Sequence, residues 1–362
     1  MIKKRITYLD MAKGVGIILV VMLHSQLMNN KLIDAFAPMM VPLFFVVSGM
    51  LMNYTEEDKR SFKEIAMRKA KFLLIPYVVF SISDLLLYGY VHITNPAIMT
   101  GTQVLKQLIY FVSFEGISVM WFIPALFVAE LYFLALRKWC SHKLTIAICI
   151  ITGIVAILIA PVYQDHFWFG SMPLLMFSFF LAQVTKGVIS AIFICFGYYV
   201  KSYLVEKEKI AILELSGGIL LLGTMIALNI YNGRVDLHSM NFSNPVLYMI
   251  GANFGSLAII LICKNIPQIK LMIFLGANSL IIMVTHIDWL LMTKAQEWSG
   301  RIAMRIAGGN RYVFWLGITV IMLIMETILI FLINQYGYFL LGKRRPKERT
   351  LNIFKYIWEN VL

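Results

Sequence analysis

Apolar runs recur along the whole chain, separated by short polar or basic breaks. They fall near residues 12–28, 35–53, 72–91, 119–136, 145–161, 170–184, 187–201, 211–230, 246–263, 272–292 and 312–333. A helix needs about 20 apolar residues to cross a hydrocarbon layer of roughly 30 Å, and most of these runs are near that length. Lipid offers no water to unpaired peptide groups, so each crossing is expected to be helical. The pattern predicts an all-α fold, a polytopic transmembrane helical bundle.

Charge sets the count of crossings. Lys3, Lys4 and Arg5 precede the first run; Lys59, Arg60, Lys63, Arg68, Lys69 and Lys71 follow the second. Arg137, Lys138 and Lys143 follow the fourth, and Lys343, Arg344, Arg345, Lys347 and Arg349 close the chain. Lys and Arg collect in cytoplasmic loops. Both termini are therefore expected in the cytoplasm of a multi-pass cell-membrane protein, which requires an even number of crossings. The run 170–184 is the weakest of the eleven: it is short, carries Pro173, and meets its neighbour through Thr185, Lys186 and Gly187. It is expected to be a re-entrant or interfacial segment on the outer side, leaving about ten membrane-spanning helices. The outer stretch 293–311, with Lys294, Arg301, Arg305 and Arg311, runs against the charge rule. Residues 1–342 then form one transmembrane domain and 343–362 a basic cytoplasmic tail. The first run lacks a small-residue cleavage site and is expected to be retained as a helix.

Composition agrees. The 362 residues are 60% hydrophobic and 14% charged, with a mean hydropathy of +0.79; a soluble domain is about a quarter charged. The net charge of +13 would suggest nucleic acid in a soluble protein, but here it is topology charge. Cys140, Cys149, Cys195 and Cys263 show no C-x-x-C spacing and read as packing residues, and no metal site is expected. The Ile- and Lys-rich composition looks bacterial.

A charge at mid-bilayer costs about 2.5–3.5 kcal/mol on insertion scales, so ionisable residues inside the runs are functional candidates. They are His24, Asp84, Glu130, His286, Asp288 and Glu326. Asp84, Glu130 and Glu326 read first as satisfied contacts between helices. His24 and His286 lie near the outer ends of their spans and are expected to share one layer. Lys13 stands eleven residues before His24, close to three helical turns, so the two share a face about 16 Å apart along the axis. Gly14 and Gly16 let another backbone approach that helix.

The stretch YLDMAKGVGIILVVMLHS (Tyr8 to Ser25) resembles the first helix of the acyltransferase 3 family, particularly its fucose 4-O-acetylase-like branch. That family carries a basic residue, ten intervening residues and a histidine, matched by Lys13 and His24. PLFFVVSGML resembles its Phe-rich second helix, ending here in Ser48 and Gly49. RKAKFLLIPY resembles its Arg-x-x-Arg element, with Arg68 matching and Lys71 in place of the second Arg. WFIPALF and LGANSLIIMVTH resemble later segments. Many relatives have a histidine where this chain has Met40, which weakens any role carried over to that position.

The resemblance implies transfer of an acyl group, usually acetyl, from cytoplasmic acyl-CoA to a hydroxyl of an extracytoplasmic glycan or related acceptor. Coenzyme A carries phosphates, so Arg68 and Lys71, with Lys13, are the expected cations of its docking site. His24 is the expected general base. His286 and Asp288 are expected to orient the acceptor or stabilise charge, and Ser48 to donate a hydrogen bond near the thioester carbonyl. Asp10, one turn before Lys13, is expected to position that lysine. Partners are then the bilayer, acyl-CoA and a hydroxyl acceptor, with no nucleic acid. A multi-pass transporter or flippase of a glycan or small polar solute also explains buried charge, as does a sensing module without chemistry. Neither gives a reason for a cation and an imidazole on one helix face.

Overall fold

Runs of this length fold as helices because only a helix satisfies its own peptide groups in lipid. The computed structural model describes residues 5–25, 31–165, 171–205, 211–287, 291–345 and 352–361. In chain order these form α1 (Thr7–Ser25), two short turns α2 (Lys31–Asp34) and α3 (Ala37–Met40), α4 (Pro42–Thr55), α5 (Phe62–Thr94), α6 (Gly101–Val112), α7 (Phe122–Trp139) and α8 (His142–Asp165). There follow α9 (Met172–Val205), α10 (Ala211–Asn232), α11 (Pro245–Asn265), α12 (Lys270–Ala277), α13 (Ser279–Thr285), α14 (Leu291–Ala307), α15 (Arg311–Gln335) and α16 (Ile353–Asn360). Among the described residues, nine stretches are long and apolar enough to cross a membrane. The pair α12–α13 packs on α1, with Gly276 against Asp10, Met272 against Gly14 and His286 against His24.

One expectation fails. The run 170–184 is not a separate re-entrant segment, because Met172–Val205 is a single helix of 34 residues. Pro173 falls in its first turn, where the missing N–H has no intrahelical partner to lose. Lys186 does not break the helix either, since its side chain is buried and ion-paired. Two expected segments thus merge into one traverse.

Two backbone contacts fix the bundle around α1 and α4. A Cβ on Gly276 would stand 1.7 Å from the Asp10 carbonyl oxygen, and one on Gly14 would stand 2.0 Å from that of Met272. Gly49 and Gly197 do the same between α4 and α9, each 2.0 Å from a carbonyl oxygen of the other helix, Ile194 and Val46. Small residues permit such contact in lipid, where packing rather than water drives association. The α12–α13 break at Asn278 is also built. Its side-chain amide donates to the Phe274 carbonyl at 2.9 Å and its side-chain oxygen accepts from Asn334 at 2.8 Å. The break aims α13 so that its last turn meets the last turn of α1.

The end of the bundle bearing the start of α1 is here termed proximal, the other distal. At the proximal end α16 folds back, with the Tyr356 ring against Phe274 and Phe331.

Candidate functional site

Two histidines close the distal half of the α1–α13 pair. His24 Nδ1 lies 2.9 Å from His286 Nε2, and His286 Nδ1 lies 2.8 Å from the Ile282 carbonyl oxygen. A carbonyl only accepts, so His286 carries its proton on Nδ1 and, when neutral, presents a lone pair at Nε2. His24 must then donate through Nδ1. Its own Nε2 is left as the basic nitrogen. His286 is fully buried, whereas His24 is exposed to a cavity. Three more side-chain contacts hold the frame: Trp315 Nε1 donates to the Met22 carbonyl at 3.0 Å, Ser25 and Thr319 hydroxyls meet at 3.1 Å, and the Thr285 hydroxyl lies 2.9 and 3.0 Å from the two Glu326 oxygens.

The cavity encloses about 410 Å³ and is lined by His24, Asp34, Trp121, Arg234, Asp236 and His238 among others. Its far wall comes from the loop between α10 and α11, which folds on itself through paired backbone bonds between Asp236 and Asn241. The Asp236 carboxylate accepts from the His238 N–H at 2.9 Å and the Ser239 hydroxyl at 2.8 Å. The His238 ring stacks on Trp121 with centroids 5.1 Å apart and planes inclined by 22°. Behind Trp121, Lys186 Nζ pairs with Glu115 Oε1 at 2.5 Å and lies 5.8 Å from the indole centroid. Gln183 donates to the Trp121 carbonyl at 2.6 Å. Removal from water, then the Lys186 charge, push the His238 imidazole down to about 4, against a smaller opposing pull from Asp236. It is neutral at pH 7. Burial lifts the Glu115 carboxyl above its ordinary range, and Lys186 draws it part-way back.

Lys186 is 1% exposed, so its charge depends on Glu115. Replacing Lys186 by Met leaves Glu115 alone, and breaking a buried pair costs about 3–5 kcal/mol. The expected result is a marked fall in thermal stability in detergent, substantially recovered in Lys186→Met combined with Glu115→Gln. Equal melting of wild type and the single variant would remove the pair from the account.

The proximal end carries a second polar cluster. Lys13 Nζ lies 2.8 Å from Asp10, which also pairs with Arg5. Glu57 binds Arg68 and, at 2.9 Å, Lys69; Lys69 reaches Glu130 at 3.0 Å, and Ser48 donates to Glu130. Asp58 joins Arg137 at 3.3 Å and the Tyr198 hydroxyl at 2.8 Å. Lys71 is exposed, and its carbonyl oxygen would stand 2.5 Å from a Cβ on Gly342.

A family model described as an acyltransferase domain matches residues 6–358, nearly the whole chain. The chain belongs to the acyltransferase 3 family. No curated protein and no solved structure gives a significant match. It is a multi-pass membrane acyltransferase, and the family match runs on into the residues of α16.

The acyltransferase sorts its sequence-named residues into separate groups. His24 and His286 are in direct contact. Lys13 sits with Asp10, and Arg68 joins Ser48 through the Glu57–Lys69–Glu130 chain, at the other end of the bundle from the dyad. Ser48 is therefore a partner of Glu130. Met40 lines the cavity. Asp288 lies outside the described residues. The sequence reading missed Glu115, Lys186, Asp236 and His238. Lys186 had a signal: within one unbroken apolar helix it is an intramembrane cation, and dividing that helix into two hid it.

Proposed function

We propose that this acyltransferase moves an acyl group, acetyl or larger, from acyl-CoA at the proximal face to a hydroxyl in the distal cavity, with His24 as general base. The observation that carries the proposal is the His24–His286 bond, which leaves one basic nitrogen on a residue that lines the distal cavity. The proximal face is read as cytoplasmic, in keeping with Lys59, Arg60, Lys63, Lys138 and Lys143 gathered there. A polyhydroxylated acceptor such as a glycan suits the cavity. The Trp121–His238 stack offers an aromatic plate, and Asp34, Asp236 and Arg234 offer acceptors and a fork of donors.

The proton accounting closes without help from solvent. As the acceptor oxygen attacks the thioester carbon, its proton passes to His24 Nε2. The imidazolium that forms keeps its Nδ1–H on the His286 lone pair. When the C–S bond breaks, Nε2 returns the proton to the departing sulfur, giving an ester and a free thiol. Base catalysis of this kind contributes about 10²–10⁴ in rate. Lys13, Arg68 and Lys71 are the cations proposed for the coenzyme phosphates. Arg68 already shares Glu57, so an incoming phosphate competes with a carboxylate for it.

Mass spectrometry of envelope glycans from cells with and without the protein tests the reading. The expected result is a mass increment of one acyl group per modified residue, present only with the protein. Identical spectra would reject glycan acylation. Changing Arg68 and Lys71 together to Ala is expected to raise the KM for acyl-CoA roughly tenfold or more, at about 1.5–3 kcal/mol per charge-assisted bond, with a smaller change in kcat. An unchanged KM would remove both from donor binding.

A further inference from the structure

Lys294, Arg301, Arg305 and Arg311 stand on the distal side, against the charge rule, and take no part in the transfer described above. The first three lie seven and four residues apart on α14, so they share one face of that helix. The opposite side of α14 holds the buried residues Ala295, Ser299 and Ala303, and Ser299 donates to the Phe314 carbonyl of α15 at 2.6 Å. Beside the basic face lie Leu291 and Trp298. With Ile321, Ile324, Ile328 and Leu332 of α15 they line an apolar groove of about 490 Å³. Gly300 sits beside Phe314 and Ser299 beside Gly317, so α14 and α15 run antiparallel. Arg301 and Arg305 thus stand at the distal mouth of a groove that continues inward along α15. Lys294 is paired with Glu297 at 3.0 Å; Arg301 and Arg305 are exposed.

We propose that this groove is a docking site for an anionic glycerophospholipid of the surrounding bilayer, with one hydrocarbon chain along α15 and the phosphate on Arg301 and Arg305. The charge complementarity is specific. Guanidinium forks match phosphate oxygens in pairs, and a zwitterionic head would return a cation to a place that already holds two. The apolar lining meets the chain where a soluble anion would find no partner. The site gives the distal basic residues a ligand, which the topology rule denies them.

The test uses the full protein in detergent micelles and bromine-labelled lipids, which quench nearby tryptophan. The Trp298 signal is isolated as the difference between wild type and Trp298→Phe. Brominated phosphatidylglycerol is expected to quench that signal at a mole fraction roughly tenfold lower than brominated phosphatidylcholine, a difference of about 1.4 kcal/mol that two surface cations can supply to an anionic head. The preference is expected to vanish in Arg301→Gln combined with Arg305→Gln, while circular dichroism stays unchanged. Equal quenching by the two lipids overturns the proposal, as does a preference that survives in the double variant. Displacement of phosphatidylglycerol by a polyprenyl phosphate at far lower mole fraction would also overturn it, in favour of a carrier lipid. None of these readings depends on acyl transfer.

Discussion

His24→Ala is expected to lower acyl transfer by about 10²–10⁴, the range that a positioned base contributes, while the protein still inserts and folds. The ring faces a cavity rather than filling the core, so its removal opens little new void. The bonds that hold the last turn of α1, Trp315 to the Met22 carbonyl and Ser25 to Thr319, do not involve the imidazole. Transfer of labelled acetyl from acetyl-CoA to an envelope fraction, measured beside expression level and melting temperature, separates the two effects. Transfer within threefold of wild type would defeat the base assignment. A loss of activity matched by a loss of folded protein would instead make His24 structural.

His286 carries the second large effect, and through another residue. Its Nδ1 is committed to the Ile282 carbonyl and its Nε2 to His24, so it dictates which nitrogen of His24 is basic. Replacing His286 by Leu removes that acceptor and frees His24 to rotate or change tautomer. A wrong histidine tautomer in a Ser-His-Asp triad costs about 10⁴ in kcat. The expected result is a fall of about 10² or more in kcat with little change in KM for acyl-CoA. His286→Gln, whose side-chain oxygen accepts a hydrogen bond, is expected to recover part of the loss. A residue that merely packed would show no such difference between Leu and Gln, so equal activity of the two variants would reject the positioning role.

Acidity offers a further check on the cavity wall. His238 is neutral in the folded protein down to about 4, whereas an unfolded imidazole takes a proton near 6.5. Between those values the unfolded chain binds more protons than the folded one at this site. Stability contributed here is therefore whole above about pH 6.5 and is lost as pH falls toward 4. His238→Gln is expected to melt with a shallower dependence on pH in that window. An unaltered slope would mean that His238 does not carry it.

The bundle was legible because hydrocarbon imposes one rule on every crossing. Runs of about 20 apolar residues had to become helices, and basic clusters gave an even count. The one misjudged segment shows where that rule is silent. Pro173 counts against a crossing in the sequence, yet a proline in a first turn breaks nothing, and Lys186 falls where the apolar pattern divides one helix into two. Its partner Glu115 lies 71 positions away in sequence, so no local pattern could announce the pair. The histidine dyad was half visible. Both residues sat near the outer ends of their spans, but the α12–α13 break at Asn278, which sets their meeting, depends on Asn334 of another helix. His238 and Asp236 come from a loop without periodicity, and only its folding onto Trp121 makes them part of a wall. Ser48 is the expected donor near the thioester carbonyl, and its partner in the structure is Glu130. Its bond to Glu130 spans 82 positions.

The central claim is that a donor held at the proximal end delivers its acyl carbon to the basic nitrogen's side of the cavity. An electron cryo-microscopy structure with a non-transferable thioether analogue of acetyl-CoA tests this most directly. The account predicts phosphate density against Lys13, Arg68 and Lys71, and the analogue's terminal carbons in the cavity beside His24 Nε2. Density for those carbons outside the cavity, with His24 turned away from them, would contradict it.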